Sequence, residues 1–295
     1  MRLDIDGRNC ELESGRSILD AVKKEGLDSI MLSDRPLAAQ IGGEVFNLRF
    51  TPKKDTQIHL LRYGEDMGRR VYERTLQFLF ILAMRKEFPR ARVCVRYSLG
   101  PGLFITVDGM EEPFNEEAAL KVETEMRRLV RLKLPLERRR ISIKEALSFY
   151  EQDGQADKAK LLKWRRFSYF DVYQIDGYMD YFYGEMAPDT SYADVFRVKY
   201  VHDGAVVLLM PRSDAPDVPA DYVDLPKLHA VFHQSDEWGK LMECATVNDL
   251  NTHIQNGTIR ELVRINEALH DRGYADIADK IVQKGAKAAV SYTHL

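Results

Sequence analysis

The chain has 295 residues, 45% of them hydrophobic and 30% charged, with a formal net charge of −3. That composition can bury a core and excludes a disordered chain, and the length suits about two domains. No apolar run approaches the ~18 residues that cross a bilayer, and the front of the chain lacks the apolar segment of a secretory signal, so a cytoplasmic protein with no membrane partner is expected.

In chain order, residues 2–5 alternate polar and apolar, Asp6-Gly7 is a hairpin signal, and 9–13 can return as a strand. Ser17 caps a short helix over 17–25, with Ile18, Ala21 and Val22 on one face and Gly26 as its stop. Strands are expected over 37–41, 45–48 and 56–61, with Gly42-Gly43 turning between the first two. One sheet packed on one helix is a β-grasp-like layout.

Gly64-Glu65-Asp66 breaks the pattern. Residues 67–88 then read as a long amphipathic helix: Val71, Leu76, Leu79, Phe80, Ala83 and Met84 recur at helical spacing, and Pro89 stops it. Strands over 92–98 and 103–108 flank Gly100-Pro101-Gly102, and Asn115 caps a helix to about 133. Helices are expected over 141–150 and 157–163, and strands over 169–175, 195–200 and 205–210. A Pro- and Asp-rich loop follows over 215–222, then helices over 227–233, 236–244, 247–255 and 258–284. The expected fold class is α+β.

Cys10, Cys94 and Cys244 are far apart and form no CxxC pair, so they are expected as small core residues in a reducing compartment. Charge is uneven. Residues 121–166 hold 14 basic and 7 acidic side chains, whereas residues 167–295 hold 11 and 20. The basic middle reads either as a solvated, Arg-rich helical face or as a surface for RNA, nucleotide or an acidic domain.

Most familiar catalytic motifs fail. His229 and His233 have the i, i+4 spacing of a shared metal, but no Glu follows His229 and no third ligand lies nearby, so they read as surface or packing residues. There is no GxxxxGK[ST] phosphate loop and no GxSxG elbow. Asp176, Asp180 and Glu185 crowd an aromatic run over 177–184, and carboxylates beside turn glycines read as structural. No catalytic, cofactor-binding or metal-ligating residue is assigned.

Residues 1–62 resemble the TGS domain, the β-grasp module at the front of threonyl-tRNA synthetases and some GTPases. The hairpin, the helix over 17–25 and Leu37-Ala38-Ala39-Gln40-Ile41-Gly42-Gly43-Glu44 carry that resemblance. Residues 66–222, with the helix ending Glu87-Phe88-Pro89, resemble the editing-type α+β domain of threonyl- and alanyl-tRNA synthetases. A closer resemblance is to a bacterial nucleoside kinase family that sets both modules before a uridine-kinase-like domain. Its words are Gly68-Arg69-Arg70-Val71-Tyr72-Glu73-Arg74-Thr75-Leu76, Asp180-Tyr181-Phe182-Tyr183-Gly184, Pro226-Lys227-Leu228, Trp238-Gly239, Asp249-Leu250-Asn251 and Glu267-Ala268-Leu269-His270.

The kinase resemblance implies a non-catalytic accessory region whose helical segment, 223–289, leads to a kinase domain missing from this chain. ATP and magnesium would bind that missing domain, and it would be this region's own partner. Residues 290–295 read as a non-native tail, the translation of a sequencing adapter, so the chain is expected to be a truncated product.

The synthetase resemblance implies an editing site with His-x-x-x-His on the long helix and Cys-x-x-x-His after an Asp. Counting from Pro89 and Asp180 places Arg74, Phe78, Phe182 and Met186 at those positions. All four have lost the group that could ligate metal or orient water, so aminoacyl-tRNA hydrolysis is not expected. The alternative function is a stand-alone RNA- or tRNA-binding module. Its candidate residues are Arg127, Arg128, Arg131, Arg138, Arg139 and Arg140, with Lys133, Lys163, Arg165 and Arg166 in the same band and Trp164, Phe167 and Tyr169 interleaved.

Overall fold

The computed structural model describes residues 1–202 and 204–285. The expected tail over 290–295 lies outside them. The fold is mixed α+β and divides into two compact units. The first comprises Met1–Ile141 and Tyr169–Pro226, and the second comprises Ser142–Ser168 and the chain from Lys227.

The first unit opens with a hairpin, β1 (Arg2–Ile5) and β2 (Arg8–Glu11). Asp6 and Gly7 turn it with φ of 50° and 83°, the left-handed pair that matches strand twist. Helix α1 (Ile18–Lys24) starts on a capping box, in which Ser17 and Asp20 satisfy each other's backbone amides. With β3 (Ala38–Ile41), β4 (Glu44–Phe46) and β5 (Thr56–Leu61), the sheet runs β2-β1-β5-β3-β4. Only β1 and β5 pair in parallel. Leu3, Ile5, Ile58 and Leu60 from the sheet meet Ile18, Leu19, Ala21 and Val22 from α1 in one core.

Helix α2 (Asp66–Glu87) follows. Its first turn presses on the preceding strand end so closely that a Cβ at Gly68 would lie 1.9 Å from the Arg62 carbonyl oxygen. Strands β6 (Arg92–Leu99) and β7 (Gly102–Asp108) lead to α3 (Glu116–Leu132), capped by Asn115 and packed on α2. Strand β8 (Glu137–Ser142) is joined later by β9 (Tyr169–Ile175) and β10 (Tyr178–Asp180) in the order β10-β9-β8. Then β11 (Arg197–His202) and β12 (Ala205–Leu209) complete an antiparallel sheet, β11-β12-β7-β6. All five residues of β12 are buried. A short pair, β13 (Pro211–Arg212) and β14 (Ala215–Pro219), ends the unit.

The second unit is helical: α4 (Ile143–Gln152), α5 (Ala156–Leu162), α6 (Pro226–Leu241), α7 (Val247–Asn256) and α8 (Ile259–Lys284). Helices α6, α7 and α8 bury no residue, and Trp164 Nε1 donates to Asn248 Oδ1 at 3.0 Å.

Four expectations are corrected. The helix expected over 141–150 begins only at Ile143, because 137–142 forms a strand. The loop expected over 215–222 contains a strand. The two helices expected over 227–233 and 236–244 are one. Of the cysteines, Cys10 is buried, Cys244 is half-buried and Cys94 is exposed, since its side chain alternates to the outer face of β6.

Candidate functional site

Positions 74 and 78 lie one turn apart on α2 and share a face. Phe78 is fully buried, and its ring centroid lies 5.3 Å from that of Phe182 and 5.9 Å from that of Tyr178. Met186 is fully buried as well, and its carbonyl accepts a 2.7 Å hydrogen bond from Asn47 Nδ2. Arg74 Nε donates to the Glu185 carbonyl at 3.0 Å. Helix α2 and the 182–186 segment are therefore held together, with a ring pair at one level and a guanidinium at the next.

Residues that sequence reasoning did not single out supply much of the fastening. Thr75 is buried, donates to the Val71 carbonyl at 2.8 Å and accepts from the Ala187 amide at 3.0 Å. Tyr72 Oη both donates to the Val195 carbonyl at 2.7 Å and accepts from its amide at 3.0 Å. Arg49 Nε donates to the Pro188 carbonyl at 2.9 Å. The available signal was local: Thr75 is a polar residue amid the apolar face of an amphipathic helix.

Glu185 is the acidic group beside this place, and its carboxylate is committed. One oxygen receives Arg138 and the other receives Tyr173 Oη at 2.9 Å. Burial first, then the Glu185 charge, pushes the Tyr173 phenol above its ordinary value. Phe78, Phe182 and Met186 carry no titratable group, and a guanidinium is no general base near neutral pH. These four side chains themselves therefore offer no general base. Glu185 and Arg138 also border an open cleft of about 480 Å³, walled by Phe46, Asn47, Arg49, Phe50 and Leu136 among others.

No family model matches the chain. Curated relatives do match. A threonine–tRNA ligase of Clostridium kluyveri is 25% identical over 194 residues, which is 65% of this chain and 30% of the ligase. That of Carboxydothermus hydrogenoformans is 27% identical over 175 residues, 57% of this chain and 26% of the ligase. That of Acetivibrio thermocellus is 28% identical over 160 residues, 54% of this chain and 24% of the ligase. The chain is thus distantly similar to part of these threonine–tRNA ligases. It spans less than a third of the length of the relatives it matches. The uridine-kinase resemblance gains no support from these relatives.

The candidate nucleic-acid residues do not form one helical face. Arg127, Arg128 and Arg131 ride on α3, while Arg138, Arg139 and Arg140 lie on β8. Arg127 pairs with Glu123 at 2.6 Å and covers the Phe196 ring, and Arg128 pairs with Glu125 at 2.6 Å. Arg138 and Arg140 alternate onto one side of the strand and share Asp171, at 3.0 and 2.8 Å. The Arg140 hydrogen bond, followed by that of Arg138, holds the Asp171 carboxyl below its ordinary value. Arg139 reaches only the neutral Gln174, at 2.6 Å, and Arg131 has no carboxylate partner among the described residues. Tyr169 lies under Arg140 in the first unit, whereas Trp164 and Phe167 belong to the second. His229 and His233 sit one turn apart on α6, with ring centroids 6.4 Å apart. Among the described residues, no group of three or more His, Cys, Asp or Glu could hold a metal ion, and no helix is long and apolar enough to cross a membrane.

Proposed function

We propose that this chain is a tRNA-facing binding module that hydrolyses nothing. In this reading residues 1–62 are a TGS-like β-grasp domain and residues 66–222 an editing-like α+β domain, as at the front of threonyl-tRNA synthetase. One observation carries it: a chain matched over 65% of its length to a threonine–tRNA ligase keeps Phe78, Phe182 and Met186 where the resemblance calls for titratable groups. Such a chain can retain the surface that meets RNA while losing the chemistry. Of the six candidate arginines, Arg131 and Arg139 have no carboxylate partner among the described residues and are left for phosphates.

A mobility-shift titration with tRNA tests this at about 50 mM and about 200 mM salt, since phosphate contacts release counterions and weaken by orders of magnitude across that range. The expected result is a shift at low salt that fades at high salt, with no deacylation of aminoacyl-tRNA. Absence of a shift at low salt overturns the reading.

A further inference from the structure

Arg74 differs from the paired arginines around it. The buried Arg35 finds an acceptor for every nitrogen, and Arg127, Arg128, Arg138 and Arg140 all meet carboxylates. Arg74 is half-buried, yet its only hydrogen bond among the described residues runs from Nε to the Glu185 carbonyl. Its two terminal nitrogens have no acceptor there. The nearby carboxylates are engaged elsewhere, Glu185 with Arg138 and Tyr173, and Glu73 with Gln77 Nε2 at 3.0 Å.

The guanidinium is nonetheless seated. Gly184 has φ of 102°, and a Cβ there would approach Arg74 Cζ to 3.0 Å and both terminal nitrogens to within 3.3 Å. The chain thus keeps a bare backbone against the guanidinium plane and fixes its direction through Nε. Arg70, one turn earlier on the same face of α2, is exposed and pairs with no carboxylate among the described residues. Two arginines at i, i+4 lie ~5–6 Å apart at Cβ and can converge on one tetrahedral anion. Next to Gly184 in the chain stands Tyr183, a residue that is 74% exposed. The Tyr183 ring meets that of Tyr181 edge to face, with centroids 5.8 Å apart, and an exposed ring one residue from the Arg74 seat suits a base joined to a phosphate.

We propose that Arg70 and Arg74 hold the phosphate of a nucleotide whose base stacks on Tyr183. Glu73 is the opposing charge on the same helix, so removing its charge should strengthen the site. The phosphate can come from a free nucleotide or from an RNA strand. Only the RNA source rests on the function proposed above.

The test is calorimetric titration of the full chain with inorganic phosphate, adenosine 5′-monophosphate and a short single-stranded RNA. Arg74 also seats Gly184, so Arg70→Gln, at an exposed position, is the deciding variant, with circular dichroism checking its fold. Expected results are binding of the monophosphate, a loss of about tenfold or more in Arg70→Gln, and a gain in Glu73→Gln. Tyr183→Ala should weaken the monophosphate and leave inorganic phosphate unchanged. No binding of the monophosphate, or binding that Arg70→Gln leaves intact, overturns the proposal. RNA binding that survives Arg70→Gln without any monophosphate binding sinks this site and leaves the RNA module standing. Monophosphate binding that Arg70→Gln weakens, in a chain that shifts no tRNA, does the reverse.

Discussion

Arg35 grips Asp194 through two parallel hydrogen bonds, Nη1 to Oδ1 at 2.8 Å and Nη2 to Oδ2 at 3.0 Å. The same guanidinium donates to the carbonyls of Ser29, Ile30, Ser191 and Tyr192, so one buried side chain ties the 29–35 loop to the 191–194 turn. Truncating it strands a carboxylate and four carbonyls at once. Arg35→Ala should lower stability by about 3–5 kcal/mol, read as a fall in the urea midpoint of the full chain. Arg35→Lys should recover little, since an ammonium cannot span both carboxylate oxygens.

His59 lies between two acids, with Nδ1 2.9 Å from Asp6 and Nε2 2.7 Å from Glu65, while Arg62 reaches Asp6 at 3.0 Å. The Glu65 hydrogen bond, then that of Asp6, raises the imidazole above its ordinary 6.5. A raised histidine contributes stability that is complete below the unfolded value and is lost as pH climbs through the folded one. Urea midpoints should therefore decline from about pH 6.5 upward, and His59→Gln should flatten that slope. An unchanged slope in the variant would place the pH dependence elsewhere.

Phe78 is fully buried against Phe182 and Tyr178. Phe78→Ala should cost about 3–5 kcal/mol through the cavity it leaves. Deacylase assays on the same variant should remain blank, because opening space supplies no base.

Gly68 faces the Arg62 carbonyl so closely that any side chain forces the start of α2 away from β5. The neighbour is backbone and cannot swing aside. Gly68→Ala should lower stability by about 1–3 kcal/mol, although alanine is the better helix former by itself. Thermal melts of Gly68→Ala beside Gly273→Ala separate the two effects, since a Cβ at Gly273 meets nothing within 4 Å. Gly273→Ala should be neutral or stabilising.

The contrast between 17–24 and 137–142 explains what sequence could and could not disclose. Ser17, Asp20 and Gly26 act within one or two turns, and so do Asp6 and Gly7 in their hairpin; their chemistry is complete in a few residues. Strand β8 reads Glu-Arg-Arg-Arg-Ile-Ser and buries only Ile141, and its arginines become strand residues through Asp171, some thirty positions on, and Glu185. Ala215–Pro219 carries two prolines that argue against a strand, and its partner is two residues long. Phe78 and Phe182 were singled out together by the resemblance, but their tilted ring contact needed the chain to close over about a hundred residues. The lone seat of Arg74 on Gly184 left no trace in spacing at all.

The register of β7 with β12 also sets a schedule for synthesis. Thr106 pairs with Ala205 and Gly102 with Leu209, so the strand that flanks β7 opposite β6 is made long after it. At ~5–20 residues per second the gap is on the order of 5 to 20 s. During it the β6–β7 hairpin carries Leu103, Phe104 and Ile105 on an open edge, none of them more than 5% exposed in the finished fold. Slowing translation lengthens that exposure and should lower the soluble yield of the chain rather than raise it.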